Sequence, residues 1–300
     1  MKRRLLLVAL VAVAVGYLSL SYVIADRFTR AERHPVGRGP QVAAATYEDV
    51  SLRTSDGLTL KGWFFPVRGT RAAILIHGRN ANRTEFEGRS EHIADFLIAD
   101  GFSVLLFDLR GHGDSDGERF SLGQFERLDV ASAIDFVASR GFAENRIALL
   151  GISLGAGTAI QELLLHPKVG AIVSDSSYTD ASTIVTEKLQ QEAGVPGFFT
   201  PGVLFMTKIA FGLDGDQVRP IEIVRAHPER AFLFIHCDAD GLVPVHHAQD
   251  LFAASANPAS ALWIAHDCNH AAADDRYPAE YRMRVIAFLD TQIPAFPRAP

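Results

Sequence analysis

Gly151-Ile152-Ser153-Leu154-Gly155 is the segment of this sequence best suited to covalent chemistry. It follows a short apolar run, Arg146–Ile152, that reads as a buried strand, and precedes a helical pattern, Leu154–His166, stopped by Pro167. Glycines on either side of a serine permit a sharp strand-to-helix turn. Such a turn lifts the hydroxyl clear of the sheet, at a helix N-terminus whose N–H groups favour developing negative charge. The five-residue pattern is common by chance, and a Gly-rich turn that only packs is the alternative. The strand and helix around it favour the chemical reading. A serine hydroxyl is a weak nucleophile until a histidine takes its proton and an acid orients that histidine, so partners must lie elsewhere in the chain.

Several other segments carry a common pattern. His77-Gly78 follows an apolar run. Asp108-Leu109-Arg110-Gly111-His112-Gly113-Asp114-Ser115 follows the next one. His236-Cys237-Asp238-Ala239-Asp240-Gly241-Leu242-Val243-Pro244 and Asn269-His270 follow two later ones. Together with the serine turn, these loops resemble those of the α/β-hydrolase superfamily, from about Tyr47 to about Ile293. Within it the sequence is most similar to small-cap serine hydrolases, which include esterases, acyl-thioesterases and serine aminopeptidase-like members. The resemblance implies a Ser153–His270–Asp240 triad, in the chain order Ser…Asp…His that the superfamily uses. It also implies an oxyanion hole made by the backbone N–H groups of Leu154 and Arg79, with His77 and His112 as structural histidines. Two departures stand out: Cys237 replaces a usual Gly, and Asn269, preceded by Cys268, stands where Gly is usual before the histidine.

Each position has a rival. Asp175 ends the strand before the cap, and Asp238 and Asp267 are close in sequence, but Asp240 alone sits three residues before Val243-Pro244. His266 competes with His270 and lies too early, at a strand end. His246 and His247 open a helix and are expected to face solvent. The set His236, Asp238, Asp240, His246 and His247 could suggest a metal. It is split between a strand end, a loop and a helix start, so no metal and no cofactor is expected.

The elements that must position these residues alternate. Val50–Arg53 and Leu58–Phe65 flank a Ser55-Asp56-Gly57 turn. Ala72–His77, Ser103–Leu109, Arg146–Ile152, Val169–Ser174, Ala231–His236 and Ala261–Ala265 read as buried strands. Helical patterns lie at about Thr84–Ala99 (with Phe86 on its apolar face), from a Ser121…Gln124 capping box to about Ser139, at His246–Ala254 and at Ala279–Leu289. Strand–helix alternation predicts an α/β fold, a doubly wound and mostly parallel sheet. Residues 177–230 interrupt the rhythm with Pro-Gly and Phe-rich segments and are expected to form a small cap, which an acyl chain would suit; the apolar residues could equally just pack it down.

The N-terminus is of another kind. Met1-Lys2-Arg3-Arg4 is basic, and Leu5–Ala25 carries no charge. As a helix that stretch reaches about 31 Å, matching the roughly 30 Å hydrocarbon core. Val23-Ile24-Ala25 resembles a small-residue cleavage site, but a cleaved signal peptide would have a shorter apolar core, so residues 1–26 are expected to be a membrane anchor, with a signal peptide as the alternative, 27–46 a linker, 47–293 the hydrolase domain and 294–300 a tail. The basic head predicts a catalytic domain outside the cytoplasm. With 48% hydrophobic and 21% charged residues the chain is globular, and a net charge of -6 without a basic stripe gives no reason to expect nucleic acid as a partner.

The expected activity is hydrolysis of a carboxylic ester or thioester, with a small acyl compound as substrate; a peptidase acting on short peptides and a non-catalytic binding protein are the rivals. The two cysteines flank the implied acid and base loops, on strands expected to be parallel neighbours about 4.8 Å apart. That spacing permits a Cys237–Cys268 bridge. Two buried thiols that never meet is the reading the sequence favours by a small margin.

Overall fold

The computed structural model describes all residues except 38, 43–45, 86, 87, 195 and 296–300, and the side chains of 190–193. Part of the expected linker, Phe86 and most of the tail therefore lie outside the described residues. In chain order the elements are α1 (Lys2–Thr29), β1 (Glu48–Arg53), β2 (Thr59–Phe65), β3 (Arg71–Ile76), α2 (Arg89–Ala99), β4 (Phe102–Phe107), α3 (Glu126–Ser139), β5 (Ile147–Ile152), α4 (Leu154–Gln161) and β6 (Ala171–Asp175). The cap follows, with α5 (Ala181–Ala193), α6 (Thr200–Phe211) and α7 (Pro220–Ala226). Then come β7 (Phe232–Cys237), α8 (His246–Ala254), β8 (Ala261–Ala265), α9 (Ala273–Arg276) and α10 (Pro278–Gln292).

Among the described residues eight strands form one sheet, ordered β1-β2-β4-β3-β5-β6-β7-β8. The β1–β2 hairpin and the β2–β4 pair are antiparallel, and every pair from β4 to β8 is parallel. The central strands β3, β4, β5, β6 and β7 are buried at every residue, because helices cover both faces. Their alternate side chains feed two apolar layers. One contains Phe102, Leu106 and Tyr281 with α2 and α10; the other contains Phe107, Ile134 and Phe232 with α3 and α8. All parallel strands point their C-terminal ends to one edge, and in open α/β sheets that edge is where ligands bind.

Two helix starts differ from expectation. The helix predicted from Thr84 begins at Arg89, because Glu85 (φ 55°) and Gly88 (φ 80°) are left-handed and interrupt the turn before it. The capping of α3 pairs Ser121 with Glu126 and not Gln124. The Glu126 carboxylate accepts from the Ser121 and Gly123 N–H groups and the Ser121 hydroxyl, while Ser121 Oγ accepts from the Phe125 N–H.

Helix α1 is exposed over its first half and packed over its second. Ser21, Ile24, Ala25 and Thr29 are buried, against Val185, Leu189 and Val203 of the cap. Tyr17 stacks on Phe199 with ring centroids 5.3 Å apart, and Gly202 must be glycine because a Cβ there would lie 2.3 Å from Ser21 Oγ. Beyond the helix, Ala31 and Phe120 donate backbone hydrogen bonds across the chain to Glu118 and Thr29.

Candidate active site

Strand β5 is buried and hydrogen-bonded on both sides, so its end is a fixed point in the molecule. Ser153 leaves it with φ 53° and ψ −112°, a strained conformation for a residue with a side chain. Helix α4 begins at the next residue. The turn is possible only because its neighbours lack side chains. A Cβ on Gly151 would lie 2.2 Å from Gly155 O, and one on Gly155 would lie 2.0 Å from Ile76 O. The elbow is thus wedged between its own helix and strand β3, and Ser153 Oγ projects above the sheet edge.

The structure brings the three expected residues together. His270 Nε2 lies 2.8 Å from Ser153 Oγ, and His270 Nδ1 lies 2.7 Å from Asp240 Oδ2. Asp240 Oδ1 accepts from the Leu242 and Val243 N–H groups at 2.9 and 2.8 Å. Its Oδ2 also faces His236 Nε2 at 3.2 Å. Burial pushes the Asp240 carboxyl up, but the hydrogen bonds from His236 and His270 outweigh that and hold its pKa well below the ordinary range. His236 was read from sequence only as the first letter of a motif; its buried ring is a second partner of the acid. Asp175 lies elsewhere. Its carboxylate accepts from the Ser176 and Tyr281 hydroxyls. His266 is mostly exposed and pairs with Asp238, whose other oxygen accepts from the Asp267 N–H.

The loop carrying Arg79 is held from both sides. His77 Nδ1–H donates to Gly78 O at 2.7 Å, and its Nε2 accepts from the Leu109 N–H. His112 Nδ1–H donates to Arg110 O, and its Nε2 accepts from the Asn80 N–H at 3.1 Å. Burial lowers the pKa of both rings, so they stay neutral and serve as fixed donor–acceptor pairs. Residue 79, between two pinned neighbours, lines the same cavity as Leu154, the first residue of α4. The Asp108–Ser115 loop beneath is braced by ion pairs of Arg83 with Asp108 and of Arg110 with Asp56 and Asp129.

A cavity of about 320 Å³ opens over Ser153 and His270. Its walls are mostly apolar, with Leu122, Ile184, Val185 and Leu242 among them, and Phe28 of α1 joins them. Arg79, Arg89, Lys188 and Glu85 are its charged members. The Glu85 carboxylate accepts from the Gly78 N–H at 2.9 Å, and burial raises its pKa to about 7. The sequence singled out neither Glu85 nor Phe28.

The histidines opening α8 correct the expectation that they face solvent. His246 is half exposed, but His247 is fully buried and lies between Thr179 and Glu187 of the cap. Donor atoms of Glu187, His246 and His247 lie within 4.8 Å of one another. The five residues weighed for a metal therefore divide three ways, between the Asp240 cluster, the Asp238–His266 pair and this cap contact.

Comparisons with known proteins agree with the fold. The family model for serine aminopeptidase, S33, matches residues 70–213. The uncharacterized protein YqkD of Bacillus subtilis is 27% identical over 238 residues, 78% of this chain and 76% of its own. The esterase Pf2001 of Pyrococcus furiosus superposes with a TM-score of 0.73 at 24% identity, over 88% of this chain and 99% of its own. The chain has the α/β-hydrolase fold. A bacterial membrane phospholipase A has the same α/β-hydrolase fold and covers more of this chain, 97% against 99% of its own, with a TM-score of 0.58 and 19% identity. The Cys237–Cys268 pair also departs from the favoured sequence reading. The two are joined in a disulfide, with Cα atoms 5.2 Å apart, because His236↔Ile264 and Cys237↔Ala265 pairing sets the ends of β7 and β8 level.

Glu85 gives the protein an expected pH dependence. Its pKa in the folded chain, about 7, is raised from the ordinary 4.5. The stability it contributes is therefore full below about 4.5 and lost as pH rises through about 7. Over the same upper range it becomes an anion next to the loop where an oxyanion would form, so turnover should fall. Glu85→Gln keeps an oxygen for the Gly78 N–H and stays neutral. We expect its kcat/KM profile to lack the alkaline fall near pH 7; profiles that superimpose on wild type would contradict this.

Proposed function

We propose that this α/β-hydrolase is a serine hydrolase of carboxylic esters or thioesters that uses Ser153, His270 and Asp240. The observation that supports it most is the continuous hydrogen-bonded path from Ser153 Oγ through His270 to Asp240, at the floor of a largely apolar cavity. Ser153 Oγ bonds to the acyl carbon as its proton passes to His270 Nε2. The tetrahedral oxyanion is held by the N–H groups of Arg79 and Leu154. His270 then gives its proton to the leaving oxygen or sulfur as that bond breaks, leaving an acyl-enzyme. Water, deprotonated by His270, attacks the acyl carbon next; the bond to Ser153 Oγ breaks as His270 returns that proton to Oγ, which releases the acid and restores the serine. Asp240 keeps the proton on Nδ1 throughout. Every proton in these steps is carried by the triad itself.

The charged cavity residues favour an ester over a peptide amino terminus. An aminopeptidase needs an exposed anion for the ammonium group, whereas Glu85 is buried beneath the loop and the other three charged groups are cations. Fold relatives named as an esterase and as a membrane phospholipase A support the same choice. A panel of acyl esters, thioesters and peptidyl amides tests it. Turnover of the first or second class is expected, and turnover of amides alone would overturn the reading.

We further propose that α1 is retained as an anchor, with the catalytic domain outside the cytoplasm. A cleaved segment would not be built into the domain, whereas Ile24 and Ala25 are buried under the cap. The basic head and the disulfide both favour the extracytoplasmic side. Protease added to spheroplasts should digest the domain; protection until lysis would place it inside.

A further inference from the structure

We propose that the substrate is a membrane-resident long-chain acyl ester, which reaches Ser153 along the inner end of α1; this rests on the ester-hydrolase reading above. The depth of the helix is the first support. Leu5–Gly16 is exposed throughout, and Tyr17 is the first residue packed on the cap. Those twelve exposed residues span about 18 Å. The hydrocarbon core is roughly 30 Å thick, and tilt only shortens the reach. The missing length, about 12 Å, has to come from residues that already pack against α6. The cap must then sit at bilayer depth beside the helix. Its surface agrees: Phe198, Phe205 and Ile209 are 64%, 50% and 59% exposed.

Adjacency of the cavities is the second. A groove of about 720 Å³ runs along one face of α1, past Leu20, Val23, Ile24 and Arg27, at helical spacing of three and four residues. It shares Phe28, Arg79 and Asn80 with the cavity over Ser153. A smaller apolar cleft between α1 and the cap also ends on Phe28. The Phe28 ring borders all three spaces, with the Arg79 guanidinium 5.7 Å from its centroid.

Chemistry is the third. The end of the groove near the bilayer is aliphatic, with Leu20 and Val23 about half exposed. Its inner end carries three cations, Arg27, Arg30 and Arg79, against one anion, Glu32. That gradient suits an amphiphile whose chain remains among apolar side chains while its polar head meets arginines at the interface. A water-soluble ester would have no use for such a path.

The test uses the full-length chain in dioleoylphosphatidylcholine vesicles, with two substrates: 4-nitrophenyl butyrate from solution and 1-oleoyl lysophosphatidylglycerol carried in the bilayer. Val23→Trp fills the groove while keeping the helix apolar; Val11→Trp, on the exposed half, is the control. We expect Val23→Trp to slow the vesicle-borne ester about tenfold or more, the usual penalty for losing a few methylenes of pocket contact. It should leave the butyrate rate unchanged, and Val11→Trp should change neither. Equal rates of wild type and Val23→Trp on the vesicle-borne ester would overturn the route. So would a wild type that cleaves the butyrate and ignores the bilayer ester, an outcome that spares the hydrolase reading. Cleavage of neither ester would overturn both.

Discussion

Ser153→Ala is expected to lower kcat by about 10⁶ and to abolish labelling by a fluorophosphonate probe. The size follows from what is lost. Without Oγ no acyl-enzyme forms, and His270 has no proton to accept; what remains is binding and the oxyanion N–H groups. The fold should not change. Alanine meets the same backbone penalty at φ 53° that serine does, and the Ser153 N–H to Asp175 O bond at 2.8 Å needs no side chain. Circular dichroism and melting temperature serve as the control. Undiminished labelling of the alanine variant would remove Ser153 from the mechanism.

Asp240→Asn should cost about 10⁴ in kcat with little structural change, because the loss is one of proton placement. The Asp240 carboxylate receives two backbone N–H groups on one oxygen and two imidazoles on the other. An amide supplies only one acceptor oxygen. If that oxygen faces Leu242 and Val243, the amide N–H groups face His270 Nδ1, which must then accept. The proton moves to Nε2, and the ring can no longer take one from Ser153. If the amide turns over, two backbone donors confront an NH₂. Asp175→Asn is the matched comparison and should leave kcat within a few-fold, since Asp175 contacts Ser176 and Tyr281 and not the imidazole. A large loss for Asp175→Asn with none for Asp240→Asn would transfer the acid role.

Residues that must adopt a special local form were readable in the sequence. Gly151 and Gly155 announce the elbow because nothing larger fits, whereas Asp240 was legible only through the resemblance of its Val243-Pro244 loop to that of the superfamily. The parallel sheet was readable because strands buried on both faces are written as unbroken apolar runs, such as residues 104–107 in β4 and the run through β5. What was not readable depends on distant partners. Glu85 looks like an ordinary loop acid, and only the fold sets it under Gly78. His247 opens a helix in a way that suggests solvent until Glu187 descends on it from the cap. Helix α1 is apolar on every side, as any membrane span is, and such a pattern has no face to report. Its docking on α6 and the place of Phe28 in the cavity wall carry no local mark.

The Cys237–Cys268 bridge fixes more than two strand ends. Closing a loop of 31 residues removes about 4 kcal/mol of chain entropy from the unfolded state. The loop it closes holds Asp240 and all of α8, and His270 lies just outside it, two residues past Cys268. Local opening of α8, or a breathing cap that releases His247, would in an unbridged chain let the carboxylate drift from the imidazole. With a covalent tether three residues from one and two from the other, the pair keeps a high effective concentration through such excursions, and re-forms its hydrogen bond as an intramolecular event. Opening of the cap over His247 would therefore leave the Asp240–His270 hydrogen bond tethered in place.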